Sequence, residues 1–310
     1  MRPRRPLRSV WLGNPRYLSV YGLGVAQAMS ILGHWHRQVS IWDSANDVRR
    51  QIEEMCPDVI WTHMALWPPS GALSAAEIAD ILGRWKRRGT AVFLHDGDPK
   101  PDRAVSVDVG STFSIALVNR AVVDDTAWGI AALRWPYAAM VQKEIAEPTT
   151  EWTCDLLFAG FLRIDESHYG ERTSLVFRLH QLLGPRMRIV NAHAGDVNNR
   201  MVVADVAASA RAILGCARPE VPGWIDTRVF QYPGAGGLLI HDGAGEFLEP
   251  NVHYLRYDRD NPVESIISLV ERAATAGVVI RENAFAHVQR HHTWIQRVEV
   301  ALRAFFGGGA

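Results

Sequence analysis

Short apolar runs alternate with amphipathic stretches along almost the whole chain. Ser9-Val10-Trp11-Leu12, Val39-Ser40-Ile41-Trp42, Asp58-Val59-Ile60-Trp61 and Ala91-Val92-Phe93-Leu94 have the length and the β-branched or aromatic content of buried strands. Val25 to Leu32, Asn46 to Met55 and Ser74 to Arg87, lying between those runs, read as helices. Phe113 to Val118 adds a strand and Ala131 to Trp135 a shorter one. Strands that alternate with helices are joined by crossovers, so they run parallel in a sheet that the helices cover.

The alternation stops at the polar, proline-containing break Glu147-Pro148-Thr149-Thr150-Glu151 and then restarts. Cys154 to Ala159 is a strand ending at Gly160, Ser174 to Leu183 a helix, and Arg188-Ile189-Val190 and Ala212-Ile213-Leu214 are strands. A further strand follows Gly237, and Asp260-Asn261-Pro262 opens a helix with a polar cap and Pro in its first turn. Ala284, Phe285, Val288, Ile295, Val298 and Leu302 close the chain at helical spacing. The expected fold class is α/β, with two Rossmann-like domains, at 1–150 and 151–290, facing each other across a cleft. A C-terminal helix at 291–310 is expected to pack back toward the N-terminal domain. Open parallel sheets bind ligands beyond the carboxyl ends of their strands.

At 310 residues the chain is long for one hydrophobic core, which agrees with two domains. Its formal net charge is zero, so no global field recruits nucleic acid or a membrane. Two local basic runs stand out, at residues 2–8 and at Arg84-Trp85-Lys86-Arg87-Arg88. No apolar core follows the first arginines, as a secretory signal requires, and no apolar run reaches transmembrane length. Cys56, Cys154 and Cys216 form neither a close metal-binding pair nor an even disulfide framework. A cytoplasmic protein without a membrane span is expected.

Candidate chemistry concentrates in Thr227-Arg228-Val229-Phe230-Gln231-Tyr232-Pro233-Gly234-Ala235-Gly236-Gly237, followed by Leu238-Leu239-Ile240 and His241-Asp242-Gly243. Glycines around a parallel strand let backbone amides approach a ligand, and an Arg supplies a forked donor for phosphate. The arrangement suits a nucleotide diphosphate. A strand bounded by ordinary turns has the same glycine content.

The second half resembles the CgeB-like (spore-maturation-type) glycosyltransferases of two-domain GT-B architecture. The resemblance lies in Asp155 to Gly160, in Arg228-Val229-Phe230-Gln231 with Gly234 to Gly237, in Glu246 to Pro250 with Tyr254 and Tyr257-Asp258, and in His292-Thr293-Trp294-Ile295-Gln296-Arg297. It spans about residues 151–303, and the first half agrees only in pattern. It implies transfer of a sugar from a nucleotide-sugar donor, UDP-linked, to a hydroxyl acceptor, with no required cofactor or metal. The chain departs from the family at Gln231 and Gly223, where relatives carry a pair of Glu, the second on the donor ribose. Gln can still hydrogen-bond a hydroxyl but carries no charge.

On this reading Arg228 and the amides of Gly234, Gly236 and Gly237 take the phosphates, with Arg163 and Arg172 past the strand that ends at Gly160. Gln231 and Glu246 take donor hydroxyls, and the loop from Gly13 to Gly24 lies near the transferred sugar. His95 or Asp96, in the loop Leu94-His95-Asp96-Gly97-Asp98-Pro99, takes the acceptor proton. His63, ending another strand, is a weaker base candidate, and His292 and Arg297 dock the last helix. Asp96-Gly97-Asp98 also spells a metal-binding D-x-D, although two α/β halves disfavour the one-domain fold that uses it. Gly22-Leu23-Gly24 with Asp43 approaches a dinucleotide fingerprint, but Gln27 replaces its third Gly. Two further alternatives are a phage-type enzyme that glycosylates hydroxymethylated bases in DNA and a nucleotide-sugar-binding module without catalysis.

Overall fold

The computed structural model describes residues 5–13, 21–63, 73–96, 108–118, 129–160, 162, 167–191, 200–216, 225–244 and 246–307. The chain divides into two compact units, Met1–Pro136 with Trp294–Ala310, and Tyr137–Thr293. Among the described residues no helix is long and apolar enough to cross a membrane.

The first unit carries β1 (Arg8–Gly13), α1 (Leu23–Ile31), β2 (Trp35–Ser40), α2 (Ala45–Met55), β3 (Val59–His63), α3 (Ala75–Arg87), β4 (Ala91–Asp96), α4 (Val109–Thr112), β5 (Ile115–Val118) and β6 (Ala132–Arg134). Its strands form one parallel sheet in the order β2-β1-β3-β4-β5-β6. Val10, Leu12, Ile60, Val92 and Leu94 bury one sheet face against Ile52 of α2 and Ile78 and Leu82 of α3. Ser74 starts α3 with a capping box: its side chain accepts from the Glu77 amide while Glu77 accepts from the Ser74 amide. Two of the amides that a helix start leaves unpaired are thereby satisfied.

The second unit carries β7 (Cys154–Gly160), α5 (Ser167–Leu183), β8 (Met187–Asn191), α6 (Arg200–Ser209), β9 (Ala210–Leu214), α7 (Arg228–Gly234), β10 (Leu239–His241), β11 (Leu255–Arg256) and α8 (Pro262–His291). Its five strands are parallel, in the order β11-β10-β9-β7-β8. Alternate residues of β7 serve opposite faces, as a strand's period of two requires. Leu156 and Phe158 pack with Val176, Ile266 and Val270, while Leu157 and Ala159 pack with Val206 and Tyr232. Arg281 on α8 donates to the carbonyls of Gly236, Ala207 and Ala208, satisfying acceptors at the end of α6 and in the turn before β10.

The final helix, α9 (Trp294–Phe306), belongs to the first unit, where it packs on α1. Trp294 is buried there over Gly24, and a Cβ on that glycine would overlap the indole. The Gly22-Leu23-Gly24 pattern thus serves helix packing. The supposed ribose ligand Asp43 accepts instead from Gln51 Nε2 at 2.9 Å.

The sequence pattern and the structure differ at several places. The unit boundary falls at Pro136 rather than at the polar break, because extended residues after it join the second unit: Ala139 donates its amide to the His292 carbonyl at 2.9 Å. An extended segment has no period to assign it to either core. Helix α6 has an apolar, alanine-rich sequence without a polar face, so no periodicity marks it. The closing helical pattern is two helices, since His292 adopts φ −134° and ψ 36° and ends α8.

Candidate functional site

All five strands of the second unit point their carboxyl ends to one edge, where β7 ends at Gly160, β10 ends at His241 and α7 begins. Arg228, the first residue of α7, reaches across to β7. Its Nε donates to the Ala159 carbonyl at 2.9 Å, and its Nη1 pairs with Asp226 Oδ2. Asp226 Oδ1 accepts the Arg228 amide at 3.0 Å, so one buried carboxylate holds both the backbone and the side chain of that arginine. A Cβ on Gly160 would overlap the guanidinium, which explains glycine at the strand end. The Arg228 and Arg172 guanidinium carbons each lie 5.8 Å from the Phe158 ring centre, within cation–π range.

Burial pushes the Asp226 carboxyl up, but the Arg228 charge and hydrogen bonds outweigh it and leave the group below the usual carboxylate range. His241, 1% exposed, accepts the Gly243 amide on Nδ1 at 2.9 Å. That bond fixes the proton on Nε2, so the ring is neutral, in line with burial lowering its pKa. Asp242 then pairs with Arg259, whose Nε donates to Oδ2 at 2.7 Å. The Cys216 thiol, just past β9, is pushed up to about 11 by burial. Arg172, Arg228 and Arg259 against Asp226 and Asp242 give these five side chains a positive sum, the sign an anionic ligand selects.

The glycines of the donor loop lie elsewhere. The turn Gly234 to Gly237 precedes β10 and therefore sits at the amino edge of the sheet, opposite Arg228. Its glycines accommodate protein. A Cβ on Gly234 would overlap Ala139, one on Gly236 would lie 2.6 Å from Ile145, and one on Gly237 would lie 2.8 Å from Ile213. Gly236 has φ +85° as well, which favours glycine. The expected phosphate-binding amides are thus a packing turn. Gln231 lies half-buried one turn after Arg228, and Glu246 is exposed in the segment after β10. Arg172 stands on α5. Arg163 and Gly223 lie outside the described residues.

In the first unit, Gly13 ends β1, with a hypothetical Cβ 2.6 Å from Trp11 Nε1. His95 and Asp96 are not loop residues but the last two of β4, paired in register with β5, and His95 also lies opposite His63 of β3. Burial lowers the His63 pKa to about 3, and burial together with His63 holds His95 well below its ordinary value. Both rings are neutral at pH 7, and His95 is a hydrogen-bonding group there rather than a strong base. Asp98 lies outside the described residues, and so does the loop from 14 to 20.

His292 rests between Phe230 and Phe247, at 4.8 and 5.5 Å, and Arg297 Nε donates to the Pro136 carbonyl at 3.0 Å. Among the described residues no three His, Cys, Asp or Glu side chains group as metal ligands. The second basic run is engaged within its own unit: Arg84 pairs with Asp80, Arg88 pairs with Glu53, and Lys86 caps the carbonyls of Gly110 and Phe113. Sequence reasoning missed Asp226, whose only signal was its place two residues before Arg228, and the Asp242–Arg259 pair.

Residues 170–303 match a family model described as glycosyl transferase-like. No curated protein matches the chain significantly in sequence. Among solved structures, one assigned as a UDP-N-acetylglucosamine 2-epimerase from Listeria monocytogenes is 8% identical, with 99% of this chain and 98% of that one covered and a TM-score of 0.52. A glycotransferase of kitacinnamycin is 11% identical over 97% of this chain and 99% of that one, with a TM-score of 0.49. The first of these likenesses shows the fold, two parallel-sheet Rossmann-like units of the GT-B type, as the alternating sequence pattern implies. The glycosyl transferase-like family match is confined to residues 170–303.

Proposed function

We propose that the protein transfers a glycosyl group from a nucleotide-linked donor, held by the second unit, to a hydroxyl acceptor taken up by the first, without a metal. The observation that carries this reading is the positively charged carboxyl edge around Gly160, Arg172 and Arg228, whose two arginines lie inside the segment that matches the glycosyl transferase-like family. In the reaction, the bond from the anomeric carbon to the diphosphate oxygen breaks and a bond to the acceptor oxygen forms. The acceptor proton passes to Asp96, and the charge left on the diphosphate is met by guanidinium groups. Gln231 and Glu246 contact the donor hydroxyls. The CgeB-like group is the best-fitting family, and UDP is the first nucleotide to test.

Thermal denaturation with a panel of nucleotides and nucleotide sugars tests this. Stabilisation by a UDP- or GDP-linked compound, unchanged by EDTA, is the expected result. Stabilisation by none of them, or loss of the effect with EDTA, overturns it. Gln231, standing where relatives carry Glu, supports a second reading as a nucleotide-sugar-binding module. Donor binding without hydrolysis or transfer would select that reading. The internal engagement of Arg84, Lys86 and Arg88 weighs against a DNA acceptor.

A further inference from the structure

Three rings converge at the carboxyl edge of the first unit's sheet. His63 and His95 stand side by side on β3 and β4, with ring centres 4.9 Å apart. Tyr21, just before α1, lies on both, 4.8 Å from His63 and 4.5 Å from His95. Trp11 and Trp294 flank the tyrosine at 6.5 and 6.2 Å. His63 is only 3% exposed, and neither of its ring nitrogens is hydrogen-bonded to another described residue. A buried polar group without a partner destabilises a fold, by about 1–3 kcal/mol for each group, so an apolar residue would serve a purely structural role better.

We infer that His63, walled by His95 and Tyr21, is the seat of an uncharged hydroxyl group of the acceptor. This rests on the transferase reading above. A neutral imidazole offers one N–H donor and one bare nitrogen, which matches the donor and acceptor pair of an alcohol. The carboxyl edge of a parallel sheet is where such folds take ligands. The aromatic rings supply apolar walls of the kind that line small-molecule sites, where a few polar groups fix orientation. His63 touches the acceptor hydroxyl.

The test uses the full chain and needs no donor. His63→Leu is compared with wild type by thermal denaturation, and the His63 ring nitrogens of wild type are followed by NMR during titration with glycerol and with D-glucose. The expected result is a higher Tm for His63→Leu, and ring-nitrogen shifts in wild type that saturate with at least one polyol. A Tm lowered by several degrees would make His63 a structural residue and overturn the inference. Ring resonances unmoved by both polyols would overturn it too. Failure of nucleotide binding would remove the transferase reading but leave these two measurements interpretable.

Discussion

Asp226 and Arg228 are bound to each other twice, once through the Arg228 amide and once through its guanidinium, although they are only two residues apart. The carboxylate is almost fully buried, with a side chain 2% exposed, so its partner's charge is what keeps it ionised. Removing one member of such a pair leaves an uncompensated buried charge. Arg228→Ala is expected to destabilise the fold by about 3–5 kcal/mol. The double change Asp226→Leu with Arg228→Met should recover most of that stability without restoring nucleotide binding. Denaturant titrations with calorimetric UDP binding check both parts. A double variant that binds UDP as well as wild type would show the arginine to be structural alone.

The turn at Gly236 separates packing from phosphate binding. An added methyl there meets Ile145 and must be accommodated at φ +85°. Gly236→Ala should lose about 1–3 kcal/mol through overpacking, with unchanged nucleotide affinity in the folded protein. A fall in affinity without a fall in Tm would return this turn to the donor site.

Asp96 is the last residue of β4. If it takes the acceptor proton, Asp96→Asn lowers turnover by about 10²–10⁴-fold. Nucleotide affinity should stay within about twofold of wild type, since an interaction made only in the transition state leaves ground-state binding intact. Turnover close to wild type would remove Asp96 from the mechanism.

The buried histidines make stability depend on pH. In the unfolded chain His63 takes up a proton below about pH 6.5, whereas burial holds its folded pKa near 3. Between these values the unfolded state binds more protons, so stability falls as pH falls. By pH 5 this one group should withdraw about 2 kcal/mol. Tm should therefore drop less between pH 7 and pH 5 in His63→Leu than in wild type. Asp226 acts at lower pH. Its folded pKa lies below the usual carboxylate value, so its stabilisation is present above about pH 4 and is lost as pH falls through the folded value.

Much of the fold was legible in the sequence. Runs such as Ala91 to Leu94 and Leu156 to Ala159 are buried on both faces and carry no alternation, the mark of parallel strands beneath helices. The start of α3 at Ser74 was equally local, and the structure explains it by a capping box with Glu77 three residues on. The site was harder to read. Gly234 to Gly237 looked like a phosphate loop because composition does not report which edge of a sheet a turn occupies. Only the chain direction through α7 and β10 puts these glycines on the edge away from Arg228. Gly160 and Gly24 were similar cases, since each makes room for one particular side chain, the Arg228 guanidinium and the Trp294 indole. Such pairings join residues far apart in sequence, where no periodicity connects them.

Helix α9 closes the first unit, although the whole second unit precedes it in the chain. A ribosome making the protein at roughly 5–20 residues per second finishes the second sheet before Trp294 is available to cover Gly24. The first-made half is thus the last to be completed, and it waits on the final helix through the synthesis of Tyr137–Thr293. A premature stop ahead of Trp294 would spare every strand of both sheets yet strip one wall from the Tyr21 and His63 cluster. Damage to the chain after Thr293 would then appear as a defect in the unit that holds β1 to β6.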